Sequence, residues 1–137
     1  MFQTAFDLIV DGSFTDINGH VNNSRYNFFT DQARMALQRE MGIPDLKLKE
    51  NDLGLYVVET QQRFRQQLYA GDEITVRGTC KAHEGIKLLF DYEIAGPQGL
   101  AYAAQTKHVF FDREKKKPLR LDRIAELYMC CKNLTAN

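Results

Sequence analysis

The residues best suited to chemistry lie together in one short segment, residues 16–23. It reads Asp-Ile-Asn-Gly-His-Val-Asn-Asn, and five of its eight side chains can form hydrogen bonds. Such a run is too polar for a buried strand, so it predicts a loop. A carboxylate can serve as general base or nucleophile, and an imidazole or an amide can orient the reacting groups. Asp16, Asn18 and His20 are therefore the candidate catalytic residues.

An amphipathic helix is predicted directly after this loop. Its apolar residues recur in steps of three and four, which places them on one side: Tyr26, Phe29, Ala33, Leu37 and Met41. Asn22, Asn23 or Ser24 can cap the first turn. Gly42 and Pro44 end the helix. The loop thus brings an acidic residue to a helix N-terminus, where free N–H groups and the dipole favour negative charge. Acyl or phosphoryl chemistry suits such a place.

The composition bounds the class of protein. A chain of 137 residues is long enough for one domain with a core, and we expect a single domain over residues 1–137. Lys plus Arg and Asp plus Glu are both 18. The formal net charge of zero therefore gives no electrostatic basis for a nucleic-acid partner or an anionic membrane.

Cysteine usage and hydropathy predict the compartment. Cys80, Cys130 and Cys131 are an odd number without CxxC spacing, which fits a reducing environment. No apolar run approaches the roughly 18 residues that a membrane span needs. The first ten residues contain neither Lys nor Arg, so they do not resemble a secretory signal. We expect a soluble, cytoplasmic protein.

Outside the loop and helix, the chain mostly reads as strands. One strand is predicted at 2–10, and residues 44–52 form a connection with one short turn. Four more strands follow, separated by turns: 55–68, 73–83, 86–95 and 100–111. A short helix is predicted at 121–131. This order indicates an α+β fold in which a curled antiparallel sheet packs one face on one helix. The uncovered sheet face and free edges predict a homo-oligomer.

The strand predicted at 55–68 carries one more candidate. Alternation assigns six of its residues to one side: Tyr56, Val58, Thr60, Gln62, Phe64 and Gln66. Glu59 falls on the other side, where a carboxylate that faces the helix or a partner subunit can assist the base. A solvated strand residue is the alternative. Arg63, Arg65 and the lysines at 115–117 can meet phosphates, although such charges usually form only a solvated face.

The loop and its surroundings resemble a known family. The string DINGHVNN before a Tyr and an aromatic-rich helix, together with the turn Ala70-Gly71-Asp72 before an alternating strand, is similar to the hot-dog-fold thioesterases of the 4-hydroxybenzoyl-CoA and acyl-CoA thioesterase type. The resemblance covers residues 2 to about 121. It implies a hot-dog fold, a curled antiparallel β-sheet around one long central α-helix. It also implies an enzyme that hydrolyses acyl-CoA or acyl-carrier-protein thioesters, without metal or cofactor, as a dimer or tetramer with sites between subunits.

The resemblance also implies roles for the loop residues. Asp16 occupies the place of the family's nucleophile or general base. Asp16, Asn18 and His20 match the catalytic group of plant acyl-carrier-protein thioesterases, whose additional cysteine has no counterpart between Asp16 and Cys80.

Thioester chemistry also needs an oxyanion donor and a place for the substrate. Backbone N–H groups of Val21, Asn22 and Asn23 are the candidate oxyanion donors, and Tyr26 is a candidate lining residue of an acyl tunnel.

Each of these side chains also has a structural interpretation. Asp16 can cap an Asx turn, His20 can satisfy loop carbonyl groups, and Asn18 can hold the shape of the bend. Tyr26 can be plain core, and a buried Cys80 can act as a small hydrophobic residue.

Two other functions stay open. Hot-dog hydratases carry Asp, Asn and His in a D-x-N-P-x-H loop, but here His20 comes one residue sooner and no Pro follows Asn18. A non-catalytic acyl-CoA-binding module is the other alternative.

Overall fold

The structure is a computed structural model that describes residues 1–128 of the 137-residue chain. Cys130 and Cys131, and with them the end of the helix predicted at 121–131, lie outside the described residues.

The described residues form six strands and three α-helices. In chain order these are β1 (Phe2–Ile9), α1 (Tyr26–Glu40), α2 (Asp45–Glu50), β2 (Leu53–Phe64), β3 (Glu73–His83), β4 (Lys87–Gly96), β5 (Gly99–Asp112), β6 (Lys117–Leu119) and α3 (Leu121–Leu127). Two short 3-10 helices, Gly12–Phe14 and Asn23–Arg25, flank the polar loop. The second runs directly into α1. The predicted connection at 44–52 therefore contains a full helix, α2.

The strands form one antiparallel sheet in the order β1-β3-β4-β5-β2, and β6 pairs with β5. Helix α1 packs across one face of this sheet and contacts chiefly β3 and β1. We call this the inner face and the opposite one the outer face. The predicted α+β fold, with a curled sheet on one long helix, is confirmed.

The core forms where α1 meets the inner face. The five predicted apolar positions of the helix are at most 2% exposed: Tyr26, Phe29, Ala33, Leu37 and Met41. Gly78 on β3 allows the helix to approach closely, because a Cβ at this position would lie 3.2 Å from the Cβ of Ala33 and 3.3 Å from Leu37 Cδ1. Burial of these five apolar side chains fixes the position of α1, and therefore of its N-terminus, relative to the sheet.

Both predicted ends of the long helix are present. The Asn22 side chain accepts a hydrogen bond from the N–H of Ser24 and caps the helical segment. Gly42 follows α1 with a φ of 78°, a left-handed conformation that glycine adopts without strain.

Strand β2 differs from its prediction. It begins at Leu53 and ends at Phe64, and a β-bulge lies between Val57 and Glu59. The bulge changes which residues share a face, since an extra residue shifts the alternation by one. The assignment of Tyr56 to the same side as Thr60 and Phe64 is therefore wrong.

The cross-strand partners define the two faces of β2. Tyr56 lies opposite Val109, whereas Phe64 lies opposite the fully buried Tyr102 on the inner face. Glu59 lies opposite Lys107, on the outer face with Tyr56. The strand is also a free edge of the sheet, and four of its large apolar side chains are 40–55% exposed: Tyr56, Val57, Val58 and Phe64.

Candidate active site

The polar loop folds into a tight hairpin. Thr15 and Val21 pair as an antiparallel bridge. Within it, the N–H of Asp16 donates to the carbonyl of His20 at 2.9 Å, and the N–H of Gly19 donates to the carbonyl of Asp16 at 2.9 Å. Gly19 has a φ of 84°, which requires the conformational freedom of glycine. The turn therefore brings residues 16 and 20 side by side.

The carboxylate of Asp16 is held by two neighbours. Its Oδ1 accepts a hydrogen bond from the N–H of Asn18 at 2.9 Å, and its Oδ2 lies 3.4 Å from Nδ1 of His20. About a quarter of each side chain, 25% for Asp16 and 26% for His20, is exposed. The structure thus brings the three predicted catalytic residues together, with Asn18 contributing its backbone. The Asx-turn interpretation of Asp16 holds as well, since one oxygen makes the turn and the other faces the imidazole.

The backbone around the loop narrows the set of candidate oxyanion donors. The N–H of Val21 donates to the carbonyl of Leu68 at 2.7 Å, and the N–H of Asn22 donates to the carbonyl of Phe14 at 3.0 Å. Asn23 begins the helical segment, and its N–H has no acceptor within the part of the chain that the structure describes. Of the three predicted donors, only that of Asn23 is available to a ligand.

A small pocket lies beside the loop. Its volume is about 170 Å³, and it is lined by His20, Val21, Asn23, Tyr26, Phe64, Arg65, Gln66 and Gln67. Four of these residues were predicted site residues. Residues 64–67 were missed as a pocket wall, although Arg65 was a candidate for phosphate contacts. A larger open depression of about 700 Å³ at the ends of β1, β3 and β4 is lined by none of the predicted site residues, so we place the site at the smaller pocket.

Aromatic rings form the inner end of this pocket. The ring of Tyr26 stacks on that of Tyr102 with centroids 4.6 Å apart, and Phe64 lies 5.3 Å from each of them. Burial raises the pKa of the Tyr26 and Tyr102 hydroxyls above their ordinary value. Tyr26 therefore both lines the pocket and belongs to the core, as its 2% exposure shows.

The structure does not bring Glu59 to the loop. Its carboxylate pairs with Nζ of Lys107 at 2.9 Å on the outer face, and this contact holds the pKa of Glu59 below its usual range. Cys80 does not contribute to the site either. It is fully buried, and burial raises its pKa to about 12. A thiol in this state is a poor nucleophile, which confirms its interpretation as a small buried hydrophobic residue.

Residues 1–128 offer neither a metal centre nor a membrane-spanning helix. No group of three or more His, Cys, Asp or Glu side chains there is arranged to hold a metal ion. Each helix of residues 1–128 is too short or too polar to cross a bilayer.

One long helix lying across the inner face of a curled antiparallel sheet, with a polar loop at the start of the helix, defines a hot-dog-fold protein. The model of the thioesterase-like superfamily matches residues 10–126, and the chain belongs to this superfamily. The predicted family and fold are thus confirmed. A comparison of the sequence with curated proteins finds no significant match.

Solved structures share the fold at low sequence identity. The DHNA-CoA thioesterase of Staphylococcus aureus is 17% identical, with a TM-score of 0.85 and coverage of 99% of this chain and 93% of that one. A 1,4-dihydroxy-2-naphthoyl-CoA thioesterase of Synechocystis is 20% identical, with a TM-score of 0.81 and coverage of 94% and 96%. A Staphylococcus aureus protein solved in complex with CoA is 16% identical, with a TM-score of 0.80 and coverage of 93% and 85%.

Proposed function

We propose that this protein is a thioesterase that hydrolyses an acyl-CoA, or an acyl group on an acyl carrier protein, to the free acid and the thiol. The observation that carries the proposal is the position of Asp16. Its carboxylate faces His20, and His20 lines the same pocket as Asn23, whose N–H is available to a ligand. Membership of the thioesterase-like superfamily supports it.

We propose catalytic roles for Asp16 and Asn23 and structural roles for Asn18 and Asn22. Asp16 removes a proton from water, which attacks the thioester carbonyl, or its carboxylate attacks directly and water releases the acid from the resulting anhydride. The N–H of Asn23 stabilises the oxyanion that forms on the carbonyl oxygen. In both routes the bond from carbonyl carbon to sulfur breaks and the thiol leaves. Asn18 and Asn22 hold the loop through their turn contacts.

The carrier is recognised at the outer end of the pocket. Arg65 lies there on the segment after β2, so its guanidinium can meet a phosphate of CoA or of a carrier protein's prosthetic group. One structural neighbour was solved with CoA bound, which supports this class of ligand. Glu59 has no place in this scheme, since its partner is Lys107. Cys80, the cysteine within residues 1–128, is a free thiol, which supports the proposal of a cytoplasmic enzyme.

The test is release of free thiol from a panel of short, long and aromatic acyl-CoAs by the wild type and by Asp16→Asn. Turnover by the wild type that the substitution abolishes supports the proposed reaction and its base or nucleophile. Hydration of an enoyl-CoA without thiol release would replace the proposal with a hydratase. Tight binding without any product would replace it with an acyl-CoA-binding module.

We also propose a homo-oligomer that joins sheets at the β2 edge. The exposed apolar residues of that strand are the argument, because a long free edge of this kind otherwise invites aggregation. An antiparallel pairing centred on Gln61 would place Glu59 opposite the partner's Arg63, and Phe64 opposite the partner's Val58. Because Phe64 lines the pocket, the partner's Val58 would then lie beside it.

The β2 edge is tested by sedimentation of Val58→Asp. The buried carboxylates would oppose pairing, so we expect dissociation to monomers at concentrations where the wild type is associated. Ile9→Asp is the matched control, because Ile9 is also exposed, at 64% against 54% for Val58, but lies on β1 at the opposite edge. Dissociation by the control alone would move the interface to the β1 edge.

A further inference from the structure

A hydrogen-bonded trio lies on the inner face of the sheet next to the pocket. Nε2 of Gln62 donates to Oδ1 of Asn27 at 3.1 Å and to the hydroxyl of Tyr102 at 2.8 Å. Tyr102 is fully buried, which fixes one end of the trio, whereas Asn27 and Gln62 are exposed. Oε1 of Gln62 and Nδ2 of Asn27 have no partner among the described residues. They leave one acceptor and one donor for a bound molecule.

Asn27 on α1 and Gln62 on β2 lie at a similar distance from the pocket. Asn27 lies one helical turn beyond Asn23, which corresponds to about 6 Å along the helix. Gln62 lies two residues before Phe64 on the same face of β2, about 7 Å along the strand. If the thioester carbonyl lies at the N–H of Asn23, the two amides are about 6 Å farther along the acyl group.

The helix surface beyond the amides stays polar. Asp31 and Arg34 continue the side of Asn27 along α1 in steps of four and three, and the next residue of this series, Gln38, is buried. Nη2 of Arg34 lies 3.9 Å from Oδ1 of Asp31. The apolar side of α1 is already buried against the sheet. A long alkyl chain that continued along this side of the helix would therefore desolvate charged groups without compensation.

From this arrangement we infer the substrate class of the proposed thioesterase, and the inference rests on that proposed function. Gln62 and Asn27 select acyl groups that carry a hydroxyl or oxo group about 6 Å from the thioester carbon. This distance fits an oxygen on the fifth carbon of an alkyl chain or on the far side of a six-membered ring. Long unsubstituted fatty acyl groups are poor substrates.

The test compares acyl-CoAs in pairs that differ by one hydroxyl: hexanoyl with 5-hydroxyhexanoyl, and cyclohexanecarbonyl with 4-hydroxycyclohexanecarbonyl. We expect the wild type to favour the hydroxylated member by about tenfold in kcat/KM, the effect of one or two hydrogen bonds. Gln62→Leu and, separately, Asn27→Leu should bring this ratio close to one while the unsubstituted member is still hydrolysed.

Gln3→Leu is the matched control, since Gln3 is an exposed glutamine on β1, at the edge of the sheet opposite to β2. It should keep the wild-type ratio. Wild-type turnover without preference for the hydroxyl would overturn the inference and leave the thioesterase proposal standing, whereas absence of thiol release from every member would remove both. An equal loss on both members in Gln62→Leu would also overturn it, because the glutamine would then act only on structure.

Discussion

Two aspartates that lie five residues apart make the same local hydrogen bond in different surroundings. Oδ1 of Asp11 accepts from the N–H of Ser13 at 2.8 Å, and Oδ1 of Asp16 accepts from the N–H of Asn18 at 2.9 Å. The bond from Ser13 lowers the pKa of the exposed Asp11 carboxyl. Only Asp16 has a histidine 3.4 Å from its second oxygen and is three-quarters buried. The turn motif is thus common to both, and the second neighbour distinguishes the candidate catalytic residue.

That second neighbour depends on the tertiary structure. His20 follows the left-handed Gly19, and it pairs as a bridge with Tyr69 on the segment between β2 and β3. The Asp11 turn also adjoins this segment, because Val10 exchanges backbone hydrogen bonds with Gly71 and Asp72. The Asp11 side chain itself, however, caps the 3-10 helix Gly12–Phe14. The surroundings of the Asp16 carboxylate therefore depend on the folded sheet, whereas the Asp11 side chain forms a local cap.

Separate substitutions of Asp16 and Asp11 have the largest expected difference in activity. Asp16→Asn keeps the acceptor for the Asn18 N–H but loses the base or nucleophile, so we expect kcat to fall by about 10²–10⁴-fold. Asp11→Asn preserves the same kind of turn and should leave kcat close to that of the wild type. Thiol release and thermal unfolding of both variants provide the measurement.

Equal effects of the two substitutions would contradict the comparison. A folded Asp16→Asn enzyme with near-normal turnover would remove Asp16 from the mechanism and leave it as a second Asx-turn residue.

A buried histidine provides the next contrast with His20. His108 on β5 is 6% exposed, its Nδ1 is buried without a hydrogen bond, and its ring meets Phe90 edge-on at 5.0 Å. Burial, with a smaller contribution from Arg34, lowers the pKa of His108 to about 4 from an ordinary value of 6.5. Between these two values the unfolded chain binds a proton that the folded protein does not. Folding stability therefore falls as the pH drops from 6.5 to 4.

The pH dependence of unfolding measures this contribution. A pKa difference of about 2.5 corresponds to about 3 kcal/mol, which His108 removes from the free energy of unfolding between pH 6.5 and 4. His108→Leu should lose this part of the pH dependence and, at pH 7, be at least as stable as the wild type, because it removes an unpaired polar atom. His83→Leu, at a site 35% exposed in its side chain, is the control. An unchanged pH dependence in His108→Leu would show that other groups cause it.

The contrast between β3 and β2 shows how far sequence predicts this fold. The alternation of β3 between its two turns predicts its bounds, Glu73 to His83, without error. In β2 the bulge at Val58 reverses the alternation, and the strand ends where its pairing with Tyr102 ends. Both features depend on β5, which is about forty residues farther along the chain, so local pattern cannot reveal them.

The same division applies to the site. The four-residue spacing of Asp16 and His20 across Gly19 allows their proximity to be predicted from sequence. The acceptors that occupy the N–H groups of Val21 and Asn22 cannot be, since Leu68 and Phe14 reach them only through the fold. Residues 64–67 became a pocket wall for the same reason. The sequence therefore predicts contacts within the loop, but not the contacts between the loop and distant residues that form the pocket.

Substitution of His20 has the smallest expected effect and sharpens the comparison most. If His20 acts on the reaction through Asp16, His20→Asn should lower kcat by about tenfold, the effect of one lost polar contact. The double variant with Asp16→Asn should then be no slower than Asp16→Asn alone, because both substitutions remove the same unit. Multiplicative losses would instead place His20 directly on the substrate. In that case, the 3.4 Å approach of its Nδ1 to Asp16 would reflect the shape of the turn, and Asp16 would differ from Asp11 by its burial and its contact with a residue that lines the pocket.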